Sequence, residues 1–291
     1  MTRPRVVVVG GAGVFGSRLV RGLVQTTDAE IIVAGRNLAR AEAITRETGA
    51  SGAVAVDRSR ATAADIAALG AKVVIDAAGP FQGANLSFAR ACIVAGVNYL
   101  DLSDARDFVA AFPALDAEAR ARKVCAVTGA SSTPALTHAA LDQLTKGWRR
   151  IDTVRAGISA GNRAPRGRSM IEAILSWTGA PVRVFEGGEW TTRPGWSRTF
   201  SRALPGLGRR RFALADTPDL DLIPTRFSPR EEAVFTAGLE LGVMHRGMTA
   251  VGCLRRLGFM RDVRPLAGLL QKMAMFLAPF GTDRGGMFVE A

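Results

Sequence analysis

The chain reads as an α/β protein, with a doubly wound parallel sheet over residues 1–146 and an α+β domain over residues 147–291. Three features of the order of residues predict this. A β-branched run, Val6–Val9, leads into closely spaced glycines, as a central strand covered on both faces would. Apolar runs then alternate with amphipathic stretches as far as Lys146. Beyond Lys146 the rhythm breaks into a basic texture punctuated by Gly and Pro.

Strands are expected near residues 5–10, 30–35, 53–56, 72–77, 97–101 and 123–128, with helices between them. Leu19, Val20 and Leu23 share one face of the first helix. Asn37 is placed to cap a helix starting at Leu38, Thr62 with Asp65 resembles a capping box, and Pro113 suits a first helical turn. This alternation implies the strand order 3-2-1-4-5-6, with ligand at the carboxyl ends of the strands. In the second half, Ile151–Ala160 and Ala233–Leu239 read as strands, followed by two helical segments.

The last apolar stretch, Pro265–Phe280, places Leu266, Leu269, Leu270, Met273 and Leu277 on one stripe, while Gln271 and Lys272 interrupt any membrane span. It reads as a buried or subunit-facing helix, with a membrane-surface helix as the alternative. Met287–Ala291 reads as the beginning of a strand, so further C-terminal sequence is expected.

Gly11, Gly13 and Gly16 form GxGxxG directly after the first strand, and Gly10 extends the pattern backwards. The first glycine is assigned the tight turn, Gly13 the close approach of phosphates, and Gly16 the packing of helix on sheet. The amides of Val14 and Phe15 open a helix whose positive end meets an anion. Strand, glycines and helix together predict a Rossmann dinucleotide site.

The second strand ends in Arg36-Asn37, where an NAD-selective domain places an acid. A guanidinium there pairs with a 2′-phosphate, which predicts NADP in preference to NAD. Asp57, closing the third strand, is placed either to meet the adenine or to cap its own loop. The fourth strand runs into Ala78, Gly79, Pro80 and Phe81, where small residues leave room for ribose and nicotinamide.

Composition narrows the classes. The 291 residues are 48% hydrophobic and 22% charged, an ordinary globular balance. Arg3, Pro4 and Arg5 follow Thr2 directly into the first strand, with no signal-peptide pattern. Cys92, Cys125 and Cys253 lie far apart, outside disulfide or zinc spacing, and no metal site is expected. Both features point to the cytoplasm.

The net charge of +12 is concentrated late, with 16 basic against 13 acidic residues up to 146 and 22 against 13 after it. Because only Lys72, Lys123, Lys146 and Lys272 are lysines, the excess is an arginine habit as much as a binding surface. Nucleic-acid binding is therefore disfavoured.

The strings VVVVGGAGVFGSRLVRGL, IIVAGRN, DAAGPFQG, GVNYLDLSD and VTGASSTPAL together resemble the saccharopine dehydrogenase-like family of NAD(P)-dependent oxidoreductases. The second half matches less strongly, through GNRAPRG, LPGLG and FTAGLELGVMHRG. The resemblance implies a Rossmann domain, a catalytic or dimerising α+β domain, and hydride transfer to or from a carbon–nitrogen or carbon–carbon double bond. It further implies pyrophosphate contacts at Gly11, Gly13, Val14, Phe15 and Gly16, adenosine contacts at Arg36 and Asn37, and nicotinamide contacts at Gly79, Pro80 and Phe81. Where saccharopine-forming reductases show Asp-Pro-Gly, this chain has Ser131-Ser132-Thr133-Pro134, which argues against saccharopine as substrate. Those hydroxyls either cap the next helix or meet a substrate anion.

Few side chains offer proton chemistry. Tyr99, with Asp101 and Asp104, closes the fifth strand beside the expected nicotinamide pocket; it is a candidate donor, or else a packed strand residue. His138 lies one turn beyond Pro134, and His245 sits among Leu241, Met244 and Met248 as a core or interface histidine. Ten arginines between Arg163 and Arg211, interleaved with Trp177, Trp190 and Trp196, suit an anionic small molecule or a solvated face. The sequence thus predicts a cytoplasmic, homodimeric NADP-dependent oxidoreductase acting on an imine, enoyl or carbonyl substrate. The alternative is a non-catalytic NADPH sensor.

Overall fold

A computed structural model describes residues 3–165 and 167–291, so Thr2 and Arg166 lie outside the described residues. The chain divides into two compact units, 1–131 and 132–291. The division falls before the helix Thr137–Leu144, not after it at 146, because Leu141 of that helix is buried with Val154, Ile223 and Ala233 of the second unit.

The first unit alternates β1 Arg5–Val9, α1 Val14–Thr26, β2 Glu30–Gly35, α2 Leu38–Thr48, β3 Gly52–Ala55, α3 Ala63–Ala68 and β4 Val73–Asp76. It continues through α4 Ser87–Val94, β5 Asn98–Asp101, α5 Arg106–Ala111, α6 Asp116–Arg122 and β6 Ala126–Val127. The six strands lie in the order β3-β2-β1-β4-β5-β6, all parallel, as the alternation predicts. Two cores cover the sheet: Val8, Val20, Ile31 and Val33 on one face, and Val7, Val9, Val74, Ile93 and Phe88 on the other. β1 thus contributes alternate valines to both faces, which is why its run is unbroken. The predicted caps form, with Asn37 Oδ1 accepting from the Arg40 amide at 3.0 Å and Thr62 and Asp65 closing a capping box.

The second unit holds α7 Thr137–Leu144, β7 Thr153–Ala160, α8 Arg168–Trp177, β8 Pro181–Glu186, β9 Glu189–Pro194, β10 Phe200–Leu204 and β11 Gly208–Leu214. After these come α9 Asp219–Phe227, β12 Glu232–Leu239, α10 Gly242–Arg256, α11 Ala267–Phe276 and β13 Gly286–Glu290. Its seven-stranded sheet runs β10-β11-β12-β7-β13, with β8 paired to the start of β12 and β9 paired to β8. Only β12 and β7 are parallel; the other pairs are antiparallel. The basic stretch read as Gly/Pro-punctuated therefore contains one helix and four strands. The segment Met287–Glu290 is the edge strand β13, paired to β7. Among the described residues, no helix is long and apolar enough to cross a membrane.

Candidate functional site

At the carboxyl end of β1, Gly10 turns the chain with φ of +77°, and a Cβ there would lie 2.8 Å from the backbone of Ala77 and Ala78. The turn glycine is thus Gly10, whereas the role assigned to Gly11 changes to packing, its Cβ position facing Val33 and the Val8 carbonyl. Gly16 lies directly against the Gly10 carbonyl, so no side chain fits between α1 and the turn. Gly13 is exposed, with the Gly10 oxygen at 3.1 Å as the sole neighbour of its Cβ position. Gly13 also caps α1 with no side-chain hydrogen bond, and the first turn carries no acidic residue. The early amides of α1, including those of Val14 and Phe15, are left for an external acceptor at the positive helix end. This cradle fits a pyrophosphate.

One strand over, Arg36 is exposed at the end of β2 and has no hydrogen bond or ion pair among the described residues. Asn37 is occupied as the cap of α2. Asp57 accepts from the Ser59 amide at 3.0 Å and the Ser59 hydroxyl at 2.7 Å, the loop-capping alternative. Those bonds, with Arg60 and Arg36 nearby, hold its carboxyl below the ordinary range.

At the end of β4 the fully buried Asp76 gathers three partners. Arg58 donates to it at 2.5 Å, Tyr99 donates its hydroxyl at 3.3 Å, and the Ala78 amide donates at 3.0 Å. Burial still pushes the Asp76 carboxyl up to about 6, against the pull of Arg58. Arg58 also reaches the Ala78 carbonyl at 3.3 Å and covers the Phe81 ring at 4.6 Å.

Two expectations change here. The Phe81 side chain is buried edge-on against Phe108 at 5.2 Å, leaving Gly79 and Pro80 as the exposed part of the loop. Tyr99 is 1% exposed, stacked on Phe112, with its hydroxyl bonded to Asp76, so it is a packed strand residue and not an available proton donor. Asp101 is also buried, and its Oδ1 accepts from the Ser103 and Gly129 amides and the Thr128 hydroxyl, each at 2.9 Å. Together they tie β5 to the loop after β6.

The Arg58–Asp76 pair escaped the sequence reading. An acid ending an otherwise apolar strand, VVID, was its available signal, since a buried carboxylate requires a partner.

In the second unit, the hydroxyl of Thr133 is buried and donates to Asp219 Oδ2. Thr137 and Thr217 hydroxyls also lie close to Asp219, which burial nevertheless pushes up to about 7. His138 Nε2 stands 4.0 Å from Asp219 Oδ1, and neither atom has a hydrogen-bond partner among the described residues. Burial and the neighbouring Arg226 press His138 down to about 4, so it is neutral at pH 7. His245 is a core residue beside Trp196 at 5.1 Å, lowered to about 4 by burial.

Six arginines of the stretch pair with acids of the same unit, most of them at its surface. Arg168 pairs with Glu172, Arg183 with Asp221, Arg193 with Glu186, Arg198 with Glu186 and Glu232, Arg202 with Glu290, and Arg210 with Glu240. Trp177 and Trp196 stack at 5.8 Å inside the core. This favours the structural reading of the stretch over an anion clamp. Among the described residues no cluster of His, Cys, Asp or Glu is placed to hold a metal.

Residues 6–142 match the saccharopine dehydrogenase NADP-binding domain. No curated protein sequence matches the chain. Among solved structures, the fold is similar to saccharopine dehydrogenase (L-Glu forming) of Saccharomyces cerevisiae, 14% identical with a TM-score of 0.62, covering 81% of this chain and 55% of that one. The chain therefore spans about half the length of that relative. More distant in shape are GenD2 of gentamicin A biosynthesis, solved with NAD, and UDP-N-acetylglucosamine 3-dehydrogenase of Acidithiobacillus ferrooxidans. These are 19% and 17% identical, with TM-scores of 0.45 and 0.44; each covers 82% of this chain, which in turn covers 66% and 70% of them.

Proposed function

We propose, from the match of residues 6–142 to the saccharopine dehydrogenase NADP-binding domain, that the chain is an oxidoreductase of the saccharopine dehydrogenase-like family using NADP in preference to NAD. The main support is the uncapped amino end of α1 over Gly13, combined with an unpaired Arg36 where an NAD site carries an acid. Gly10, Gly11, Gly13, Val14, Phe15 and Gly16 hold the pyrophosphate, Arg36 the 2′-phosphate, and Ala78, Gly79 and Pro80 border the nicotinamide. Bound there, the nicotinamide supplies the hydride, exchanged with an imine, enoyl or carbonyl carbon of a small molecule. The chain's own part is to orient the ring: Arg58 and Asp76 fix the Ala78–Phe81 loop from beneath.

In this reading the first unit binds cofactor, the second serves substrate binding and dimerisation, and the protein works in the cytoplasm. Fluorescence titration tests the cofactor claim. NADPH is expected to bind about tenfold more tightly than NADH, and Arg36→Ala to remove that difference while leaving NADH affinity unchanged. Equal affinities in the wild-type protein would overturn the NADP assignment. Consumption of NADPH with keto acid–amine pairs or enoyl thioesters tests the activity, and tight binding without turnover across such a panel would make the chain a sensor.

A further inference from the structure

α11 has two apolar faces. Ala267, Leu266 and Leu270 pack into the core of the second unit, as an amphipathic helix should. The opposite side does not turn polar. Leu269, Met273, Phe276 and Phe280 follow at helical spacing along the outer surface, and Phe276 is 80% exposed and Phe280 72%. The turn after α10 continues the pattern, with Leu257 72% and Phe259 74% exposed. α11 packs on α8, and Arg255 at the end of α10 donates to the Ser176 and Thr178 carbonyls at the end of α8. Both apolar segments are thus anchored to one helix. Exposed aromatic and aliphatic side chains at this density are rare on a surface that meets only water.

The surrounding charge identifies what covers them. Residues 254–280 contain five basic side chains, Arg255, Arg256, Arg261, Arg264 and Lys272, against the single acid Asp262. Arg264 is paired to Asp262 and Arg255 is held by α8, but Arg256, Arg261 and Lys272 are exposed with no ion pair among the described residues. A second copy fits poorly: a two-fold interface would set this basic stretch against itself. A basic apolar helix face answers a surface that is both oily and anionic.

We propose that α11 and the turn after α10 dock the second unit peripherally onto an anionic lipid bilayer. Phe276, Phe280, Leu257 and Phe259 enter the acyl boundary, while Arg256, Arg261 and Lys272 meet lipid phosphates. The helix lies in the interface and does not span it.

Sedimentation of the full chain with vesicles tests this. Binding is expected to vesicles of equal parts phosphatidylcholine and phosphatidylglycerol, and to be far weaker to phosphatidylcholine alone. Replacing Arg256, Arg261 and Lys272 by Gln should lower partition to the mixed vesicles on the order of a hundredfold. Phe276→Ser with Phe280→Ser should lower it at least tenfold. These sites are exposed, and an unchanged circular dichroism spectrum and melting temperature will confirm that the variants fold. Failure to bind the mixed vesicles overturns the proposal, as does equal partition to both vesicle types. Self-association abolished by the Phe276→Ser, Phe280→Ser variant, without vesicle binding, would assign the face to a second copy instead.

Discussion

Asp76 in the first unit and Asp219 in the second are both completely buried, and they are neutralised differently. In the first, Asp76 meets a guanidinium at 2.5 Å, a phenol and an amide. In the second, Asp219 meets hydroxyls, chiefly Thr133, with the neutral ring of His138 at 4.0 Å and no cation paired to it among the described residues. Burial raises both, Asp76 to about 6 and Asp219 to about 7. Desolvation therefore outweighs even a close ion pair, and the guanidinium serves as much to position a loop as to stabilise a charge.

The sharpest challenge to this comparison is Arg58→Met. Without the pull of Arg58 the Asp76 carboxyl rises further, so the variant holds a proton that the wild-type protein releases above about pH 6, and its loss in urea unfolding should grow with pH from there towards about 3–5 kcal/mol in the alkaline range. The loss should shrink below pH 6, where Asp76 takes up a proton, and adding Asp76→Asn should recover most of it. A uniform loss across pH would show that Arg58 acts only through packing on Phe81.

Asp219 should produce a smaller, smoother effect. Its folded carboxyl ionises near 7 and its unfolded one near 3.8, so the folded state retains the proton in between. Stability linked to it is complete below pH 4 and declines as pH rises towards 7. Asp219→Asn should flatten that part of the stability–pH curve by a few kcal/mol; an unchanged slope would mean that Asp219 is ionised throughout.

Asn37 gives the mildest change. Asn37→Ala removes the cap of α2 and should cost about 1 kcal/mol of stability, with NADPH affinity altered less than twofold. A large loss of affinity with intact stability would make Asn37 a ligand and not a cap.

The same contrast explains what the sequence disclosed. Strands covered on both faces need apolar residues along their length, so Val6–Val9 and Val73–Ile75 announce themselves, and with them the strand order and the glycine turn. β8 alternates exposed and buried residues while β9 has no buried one, and arginines of β8 and β10 pair with acids far along the chain, Arg183 with Asp221 and Arg202 with Glu290. Alternation weakened by those charges looked like loop. One usable signal was passed over: Gly187-Gly188, both at positive φ, closes the β8–β9 hairpin as a two-residue turn.

The proton-donor candidates failed for another reason. Asn98–Asp101 is four residues long, with Tyr99 and Asp101 on the inward positions, and period alone does not reveal which face a layer of helices covers. The stripe read along α11 joins both of its sides, since Leu266 and Leu270 pack on the core while Leu269 and Met273 are exposed. Hydrophobicity identified the helix but not which of its two apolar sides meets the protein.

Gly16 carries one more consequence. With the Gly10 carbonyl occupying the place of a methyl, the gap between the first helix and the sheet is gauged by a hydrogen atom. Even alanine at position 16 would lever the helix outward and swing its leading N–H vectors away from their common focus. The phosphate grip is thus calibrated from behind, by an atom no ligand ever touches.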